Sequence, residues 1–312
     1  MVSVQRYFVP TANGKPVTQA LLQVPPSVDA LQISMRRGLG IAGILELREC
    51  WLFEEQLHVE IYPRSHTAPT LIFLPGIGTY VELYAELLSA LHNRGFNVVA
   101  IDPPGHGFSA GQRGRFEVIP FAQQISRLVD ELQQRFTGSW GAYGYSSGAV
   151  SALALAERDE RIETLVCGTL LLSEFPPDLV HALGWSWTSM SAVWFPSVCV
   201  PLRSFIDFET LLGSHPAGRW INQDRRIVFD YPLATLATLF SHKCGILDRT
   251  YPFRLYLLQG DCDEVLSIDY AQKIKEESEH PVQLEVVAGA GHMLPWDDPE
   301  GLAKRIWECF KV

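Results

Sequence analysis

Apolar and polar positions follow two periods along the chain, one typical of buried strands and one typical of helices that pack on a sheet. The later apolar runs are short and continuous, as expected for parallel strands covered on both faces. Between them, apolar residues recur every three or four positions, which predicts amphipathic helices. The predicted strands cover residues 45–53, 58–62, 70–74, 96–101, 140–143, 164–172, 254–258 and 283–287.

The alternation of strands and helices predicts an α/β fold with a doubly wound, mostly parallel sheet. The first two strands instead fit an antiparallel hairpin at the edge of the sheet, joined by residues 54–56. Asp298 followed by Pro299 is a typical start for the last helix. The predicted helices cover residues 81–91, 121–136, 149–157, 268–278 and 299–310, with a further short helix at 28–37.

The alternation stops between residues 173 and 249, where four tryptophans and several prolines occur without a clean strand. Ligands of such sheets bind beyond the carboxyl ends of the strands, so an insertion at this place would cover the site. We therefore predict one α/β domain with its core at about 41–172 and 250–312, a helical cap at 173–249 and an N-terminal extension at 1–40. The alternative for 173–249 is a helical subdomain that only adds stability.

The composition narrows the class of protein. Of 312 residues, 47% are hydrophobic and 19% charged, which supports a large buried core and argues against disorder. A net charge of -10 repels phosphate backbones, so we expect no nucleic-acid partner. Six cysteines without metal-ligand spacing indicate free thiols in a reducing compartment. The chain shows no signal-peptide pattern and no apolar stretch of membrane-spanning length, so we expect a cytoplasmic protein without an integral membrane segment.

Gly144 to Gly148 form the pattern G-x-S-x-G at the junction of a predicted strand and a predicted helix. In that setting the pattern is typical of a nucleophile elbow, a sharp turn that lifts a serine hydroxyl clear of the sheet. Strand and helix nearly touch there, so small residues are needed two places before and two places after the serine. Ser146 meets this condition, whereas the bulky Tyr145 lies two places before Ser147. We therefore predict Ser146 as the nucleophile.

A serine hydroxyl needs a base to take its proton and an acid to orient the base, and in this architecture both follow the serine in the chain. His292, in a glycine loop after the last strand, is the predicted base, and His106 is its rival. Asp263, three residues past the turn at Gly260, is the predicted acid. The other candidates for the acid are Asp261, Glu264 and Glu174.

Acyl transfer also requires hydrogen-bond donors for an oxyanion. The glycines in the loop at residues 74–78 allow backbone N–H groups to turn inward, so we expect those of Ile77 and Ser147 to form the oxyanion hole. Glycine-rich loops after strands can also cradle phosphates. This loop has neither G-x-G-x-x-G nor a Walker lysine, which argues against a nucleotide site.

These motifs together resemble the α/β-hydrolase superfamily, and residues 75–114 are most similar to the monoacylglycerol lipase and lysophospholipase group. The resemblance covers the chain from about residue 45 onward except the cap. It implies Ser146, Asp263 and His292 as a catalytic triad and no metal or organic cofactor. The stretches that carry it are 75–78, Tyr84, Leu88, 102–109, 111–114, 144–148, 260–265 and 291–292.

The chain departs from that family's pattern at two places. The family commonly has His-Gly in the oxyanion loop, where this chain has Pro75 and Gly76. It commonly has His before the nucleophile, where this chain has Tyr145. Neither departure removes a reacting group, but both bear on the support of the loop and on the choice of substrate.

The motifs and the resemblance predict a serine hydrolase that cleaves a small carboxylic ester with an apolar acyl part through an acyl-enzyme. One alternative is the same triad used for thioester, amide or peptide, lactone or C–C bond hydrolysis, or for perhydrolysis. A second alternative is a small-molecule-binding member without activity. A serine at the elbow disfavours dehalogenases and epoxide hydrolases, which use a carboxylate there. The residues expected to contact substrate are Gly76, Tyr145, Trp185, Trp187 and Trp296.

Overall fold

A nine-stranded sheet forms the centre of the computed structural model, which describes residues 21–204, 206–213 and 215–311. The strands are β1 (Leu21–Gln23), β2 (Glu49–Phe53), β3 (Leu57–Tyr62), β4 (Thr70–Leu74), β5 (Asn97–Ile101), β6 (Trp140–Tyr145), β7 (Ile162–Gly168), β8 (Cys199–Pro201), β9 (Asp230–Pro232), β10 (Arg254–Gly260) and β11 (Val282–Val287). The order in the large sheet is β1-β2-β3-β5-β4-β6-β7-β10-β11. In this order, the neighbouring strands β5, β4, β6, β7, β10 and β11 all pair in parallel. At the other edge, β1 pairs with β2, β2 with β3 and β3 with β5 in antiparallel fashion.

Helices cover both faces of this sheet. The helices are α1 (Ala30–Gly38), α2 (Ala42–Leu45), α3 (Ala85–Arg94), α4 (Val118–Leu132), α5 (Ser147–Ala156), α6 (Leu179–Trp194), α7 (Phe208–Leu212), α8 (Gly218–Ile221), α9 (Leu233–Ser241), α10 (Ile268–Glu277), α11 (Leu294–Asp297) and α12 (Pro299–Phe310). Single 3-10 turns occur at Val81–Tyr84 and Leu202–Ser204. Among the described residues, none of the helices combines the length and the apolar character needed to cross a membrane.

The alternation of side chains along a strand produces two cores. In β4, Ile72 and Leu74 pack with α4 and α5 in one core, whereas Leu71 and Phe73 pack with α3 and α12 in the other. All five residues of β4 are buried, as a strand covered on both faces requires. The predicted doubly wound, mostly parallel sheet is therefore confirmed.

Most predicted elements occur within a few residues of their expected bounds, and the differences have local causes. The strand expected from residue 45 begins at Glu49, because Ala42–Leu45 forms a helical turn. The strand expected to reach residue 172 ends at Gly168, because Thr169 has a φ of 61° and leaves the extended conformation. The first 20 residues of the predicted N-terminal extension lie outside the described residues, and its remainder contains β1 and α1.

The segment at residues 173–249 holds α6 to α9 and also a small antiparallel sheet of β8 and β9, so the expectation of no strand there was wrong. Each of these two strands has three residues, too few for a recognisable period. The segment contacts the core at the predicted oxyanion loop, where the N–H of Val228 donates to the carbonyl of Gly78 at 2.9 Å. Its role as a cap over a substrate stays a prediction.

Candidate active site

Ser146 occupies a strained turn between β6 and α5. Its φ of 54° and ψ of -123° lie in a region that residues with a side chain rarely adopt. The turn is tight because β6 and α5 nearly touch: a Cβ on Gly144 would lie 2.5 Å from the carbonyl oxygen of Gly148. The backbone N–H of Ser146 donates to the carbonyl of Gly168 at 2.7 Å, which ties the turn to the neighbouring strand. This is the geometry of a nucleophile elbow.

Asp263 and His292 meet at the same edge of the sheet as Ser146. Because β6, β7, β10 and β11 are adjacent and parallel, their carboxyl ends and the loops that follow them lie side by side. Asp263 follows β10, His292 follows β11, and Oδ2 of Asp263 lies 3.0 Å from Nδ1 of His292. The Tyr145 hydroxyl, one residue before the turn, donates to the backbone carbonyl of His292 at 2.9 Å.

The carboxylate of Asp263 is fully engaged. Besides His292, its Oδ2 accepts from the Thr169 hydroxyl at 2.9 Å and from the Gln259 amide at 3.0 Å. Its Oδ1 accepts from the backbone N–H groups of Val265 and Leu266 at 2.8 and 3.0 Å. Burial by itself would raise the pKa of Asp263, but the hydrogen bond and charge of His292 and the two backbone donors outweigh it and hold the pKa below its ordinary value. The group is therefore an anion at neutral pH.

The other acid candidates have different partners. Asp261 is exposed and accepts from the N–H of Gly289 at 2.6 Å. Glu174 accepts from the N–H of Cys244 at 2.8 Å. Glu264 reaches only the backbone N–H of His292, at 3.4 Å. Within the described part of the chain, Asp263 is the one of these four carboxylates that is bonded to a histidine ring.

No hydrogen bond joins the Ser146 hydroxyl to the His292 ring among the described residues. Catalytic hydrogen bonds are often long or poorly aligned before substrate binds. The turn at Ser146 is nevertheless linked to the pair of Asp263 and His292. The link is the hydrogen bond from the Tyr145 hydroxyl to the backbone carbonyl of His292.

The predicted oxyanion loop is held by two tyrosine hydroxyls. The N–H of Gly76 donates to the Tyr84 hydroxyl at 3.1 Å, and the N–H of Gly78 donates to the Tyr231 hydroxyl at 2.8 Å. Between them, the N–H of Ile77 has no hydrogen-bond acceptor within the described part of the chain. Ser147 is the first residue of α5, where backbone N–H groups also lack intrahelical acceptors. Ile77 and Ser147 border the same small cavity.

Both ring nitrogens of His106, the rival candidate for the base, are hydrogen-bonded to residues other than Ser146. Burial lowers its pKa to about 4, so the ring is neutral at neutral pH. Its Nδ1 lies 3.0 Å from the carbonyl of Pro104 and must donate to it, which leaves Nε2 as the acceptor for the Tyr231 hydroxyl. A chain of hydrogen bonds therefore runs from Gly78 through Tyr231 to His106, and both ring nitrogens are used.

The five residues expected to contact substrate lie in two groups. Tyr145 and Trp296 are buried beside Tyr84, and the Trp296 indole N–H donates to the carbonyl of Leu83 at 3.0 Å. Gly76 adjoins them, since a Cβ there would lie 3.0 Å from the Tyr145 ring. Trp185 and Trp187 are on α6, the first stacked on Phe240 and the second 59% exposed. Contact with a substrate stays a prediction for all five.

Three residues that hold parts of the site in place were not predicted from the sequence. Thr169 and Gln259 hold Asp263, and Tyr231 holds the predicted oxyanion loop. Thr169 directly follows a strand that ends beside the elbow, a position that could have been noticed. Tyr231 lies 153 residues after its partner Gly78, and no local pattern marks it.

Comparisons with known proteins agree with this fold. A sequence profile of the alpha/beta hydrolase family matches residues 71–305. The fold is similar to that of a monoacylglycerol lipase from Paleococcus ferrophilus, with a TM-score of 0.61 and 20% identity over 80% of this chain and 99% of that chain. It is also similar to a soluble variant of monoglyceride lipase from Saccharomyces cerevisiae, with a TM-score of 0.68 and 12% identity over 84% of this chain and 91% of that chain. A thermophilic esterase from Thermogutta terrifontis aligns with a TM-score of 0.60 and 18% identity, over 84% and 94% of the two chains. No curated protein matches the chain in sequence.

The chain therefore belongs to the alpha/beta hydrolase family. The predicted class of protein, a hydrolase with a lipase- or esterase-like fold, is confirmed. At identities of 20% or less, the similarity to these solved structures shows the fold but not the substrate. The substrate must be inferred from the site.

Proposed function

We propose that this protein is a serine hydrolase that cleaves a carboxylic ester with an apolar acyl part. Ser146 is the nucleophile, His292 the base and Asp263 the acid. The observation that carries the proposal is the hydrogen bond between Asp263 and His292 at the sheet edge that also bears the strained turn of Ser146. A nucleophile, a base and an orienting carboxylate at one edge are the parts that acyl transfer requires.

The hydrogen bond to Asp263 fixes the tautomer of the base. Donation from Nδ1 of His292 to the carboxylate leaves the lone pair of Nε2 free to take a proton. Nε2 removes the hydroxyl proton as Oγ of Ser146 attacks the ester carbonyl, and then returns that proton to the leaving alcohol. Water repeats the sequence on the acyl-enzyme, which releases the acid and restores Ser146.

The developing oxyanion rests on the backbone N–H groups of Ile77 and Ser147. Of three consecutive N–H groups in the loop, those of Gly76 and Gly78 are bonded to tyrosine hydroxyls, which leaves that of Ile77 for the reaction. The N–H of Ser147 opens α5, where the partial positive charge of the helix adds to its effect. Donors that are already in place cost no reorganisation in the transition state.

Two observations favour a small substrate with an apolar acyl part. The small cavity beside Ile77 and Ser147 is lined in part by the aromatic rings of Phe116, Phe121 and Tyr231, and two similar folds are those of monoacylglycerol and monoglyceride lipases. The six cysteines are free thiols, which suits a reducing compartment such as the cytoplasm. No cofactor takes part in the proposed reaction, and the net charge of -10 disfavours nucleic acid.

Labelling with a fluorophosphonate probe tests the nucleophile. We expect the wild-type protein to be labelled and Ser146→Ala not to be, because the probe forms a bond only with an activated serine. The matched variant is Ser147→Ala, which removes the neighbouring hydroxyl, keeps its backbone N–H and should remain labelled. Equal labelling of wild type and Ser146→Ala would disprove the assignment.

A substrate panel tests the reaction. We expect hydrolysis of p-nitrophenyl esters, with kcat in His292→Ala lower by several powers of ten, since the members of a triad act as a unit. A panel that adds thioesters and lactones separates the proposed ester from the other bonds that the same triad can cleave. Turnover of thioesters or lactones with none of esters would contradict the proposed substrate while leaving the triad intact.

A further inference from the structure

Helix α6 exposes a large apolar stripe that nothing in the described structure covers. Among the described residues, thirteen large apolar side chains are exposed, and nine of them, seven on α6 and two just after it, lie between residues 179 and 198, each 53–79% exposed. Together they present on the order of 1,000 Å² of apolar surface, where the largest patch of a typical monomer covers about 300–600 Å². A surface of this size marks an interaction site or an aggregation liability.

The opposite face of α6 is already packed. Trp185 and Thr188 are buried, and the Trp185 ring stacks on Phe240 of α9 with the ring centroids 5.4 Å apart. No Asp, Glu, Lys or Arg occurs between Leu179 and Trp194. A helix that is apolar on both faces is normally buried on both faces. The exposed face of α6 therefore lacks a partner among the residues that the structure describes.

The spacing of the exposed residues fits a second helix. Val180, Leu183, Trp187, Met190 and Trp194 follow one another at intervals of 3, 4, 3 and 4 residues. This is the a/d spacing with which two helices interlock their side chains. It places Trp187, which the sequence predicted as a substrate contact, on the exposed face. A helix of 16 residues is about 24 Å long, which is enough for a seam of several interlocking layers.

We propose that α6 is the contact helix of a homodimer, in which the stripe of one chain packs antiparallel against the same stripe of a second copy. Two-fold dimers bury the same patch on both subunits, so a self-complementary seam without charge is what such a contact needs. The exposed apolar area is similar to the area that each partner buries in a standard protein–protein interface, which is about 800 Å². The antiparallel arrangement also sets the N-terminus of each helix beside the C-terminus of the other, which the helix dipoles favour.

A lipid surface is the other occupant to consider, and α6 fits it less well. Helices that lie in a bilayer surface carry Lys and Arg on their polar face. Helix α6 has neither residue, and the net charge of -10 opposes approach to anionic lipids. The a/d seam therefore favours a protein helix over a lipid surface.

Light scattering after gel filtration, over a series of concentrations of the full chain, tests the dimer. We expect twice the mass of one chain for wild type and a single-chain mass for Met190→Lys and Leu183→Lys, because a seam cannot bury an unpaired ammonium. The matched control is His181→Lys, which adds the same side chain on the same helix outside the seam and should stay dimeric. Circular dichroism and hydrolysis of a soluble p-nitrophenyl ester establish that each variant is folded.

Three results would overturn the proposal. The first is a wild-type protein that remains monomeric at every concentration. The second is a dimer that persists in Met190→Lys and Leu183→Lys. The third is a monomeric wild type that binds phosphatidylcholine vesicles and loses that binding in both seam variants, which would assign the stripe to a lipid surface instead.

Discussion

Two tyrosine hydroxyls from distant parts of the chain fix the backbone of the predicted oxyanion loop. Tyr84 lies on the 3-10 turn just after the loop, whereas Tyr231 is in β9 of the segment at residues 173–249. The hydroxyl of Tyr231 accepts from Gly78 and donates to Nε2 of His106, so it satisfies two buried polar groups at once. A residue outside the core sheet thus supports a loop of the proposed reaction.

Replacement of Tyr231 by phenylalanine tests the role of that hydroxyl. Tyr231→Phe keeps the ring but leaves the N–H of Gly78 and the Nε2 of His106 unpaired, so the free energy of unfolding should fall by about 1–3 kcal/mol. The loop that orients the N–H of Ile77 loosens, so kcat should fall by about tenfold while KM changes little. Kinetics on a p-nitrophenyl ester and urea unfolding measure the two effects.

A second buried tyrosine provides the comparison. The Tyr270 hydroxyl accepts from the N–H of Leu172 at 3.0 Å and donates to its carbonyl at 3.2 Å, away from the oxyanion loop. Tyr270→Phe should therefore lose comparable stability and keep kcat. Equal values of kcat for the two variants would show that Tyr231 has a structural role only.

The residues that the sequence could predict are those whose identity is fixed by local geometry. Ser146 was predictable because only small neighbours fit its turn, and His292 and Asp263 because they follow strands in a required order. The bond between Asp263 and His292 agrees with that prediction, while their catalytic roles stay a proposal. The position of Thr169 after a strand could have been noticed, but its hydrogen bond to Asp263, 94 residues further along the chain, is marked by no local pattern.

At the scale of elements, the site depends on how closely α5 approaches the sheet. A Cβ on Gly148 would lie 2.4 Å from the carbonyl oxygen of Leu74 and 2.5 Å from that of Pro75, and both are backbone atoms that cannot rotate away. The same glycine that lets α5 pack on β4 therefore also sets the distance between the elbow and the oxyanion loop. The absence of a side chain at residue 148 is therefore required both for the packing of α5 and for the proposed chemistry.

Gly148→Ala tests that constraint. The added methyl group must push α5 from β4, which we expect to lower the free energy of unfolding by about 1–3 kcal/mol or more and to abolish labelling by the fluorophosphonate probe. Gly184→Ala is the matched control, since a Cβ at Gly184 in α6 would meet nothing within 4 Å. That variant should gain about 0.5–1 kcal/mol from the better helix former and keep its labelling. Normal stability and labelling in Gly148→Ala would refute the close approach.

Long elements were predictable and short ones were not. Helix α12 spans the predicted residues because Asp298 accepts from the N–H of Gly301 and a full apolar stripe follows. Strand β1 has three residues and exists only through its pairing with β2, so its own sequence carries no period. The same reason explains why β8 and β9 were missed.

At the scale of the whole molecule, one buried network joins three parts of the chain. Glu82 is fully buried beneath α1, where it accepts from Gln32 at 3.1 Å and pairs with Arg36 and Arg48 at 2.5 and 3.0 Å. Two residues away, the Tyr80 hydroxyl accepts from the same Gln32 side chain and donates to Asp224. The N-terminal helix, the core and the segment at residues 173–249 are therefore linked by polar contacts that no local pattern could have predicted.

Glu82→Gln tests how far the fold relies on this network. Two arginines would keep their charge without a full counter-charge, so the free energy of unfolding should fall by about 3–5 kcal/mol in urea. Burial alone would raise the pKa of Glu82, but Arg36 and Arg48 hold it below its ordinary value. The ionised group thus stabilises the fold above its ordinary pKa and loses that contribution as the pH falls through the lowered pKa. We expect the difference between wild type and Glu82→Gln to be full at neutral pH and to shrink in acid.

An exposed pair isolates the effect of burial from that of charge. Glu54 and Arg127 form an ion pair at 2.7 Å at the surface, so Glu54→Gln removes the same charge in water and should cost less than about 1 kcal/mol. If both variants lose the same stability, the network at Glu82 does not hold the N-terminal helix on the core. If the loss in Glu82→Gln stays constant as the pH falls, the cause is lost packing and not the ionised carboxylate.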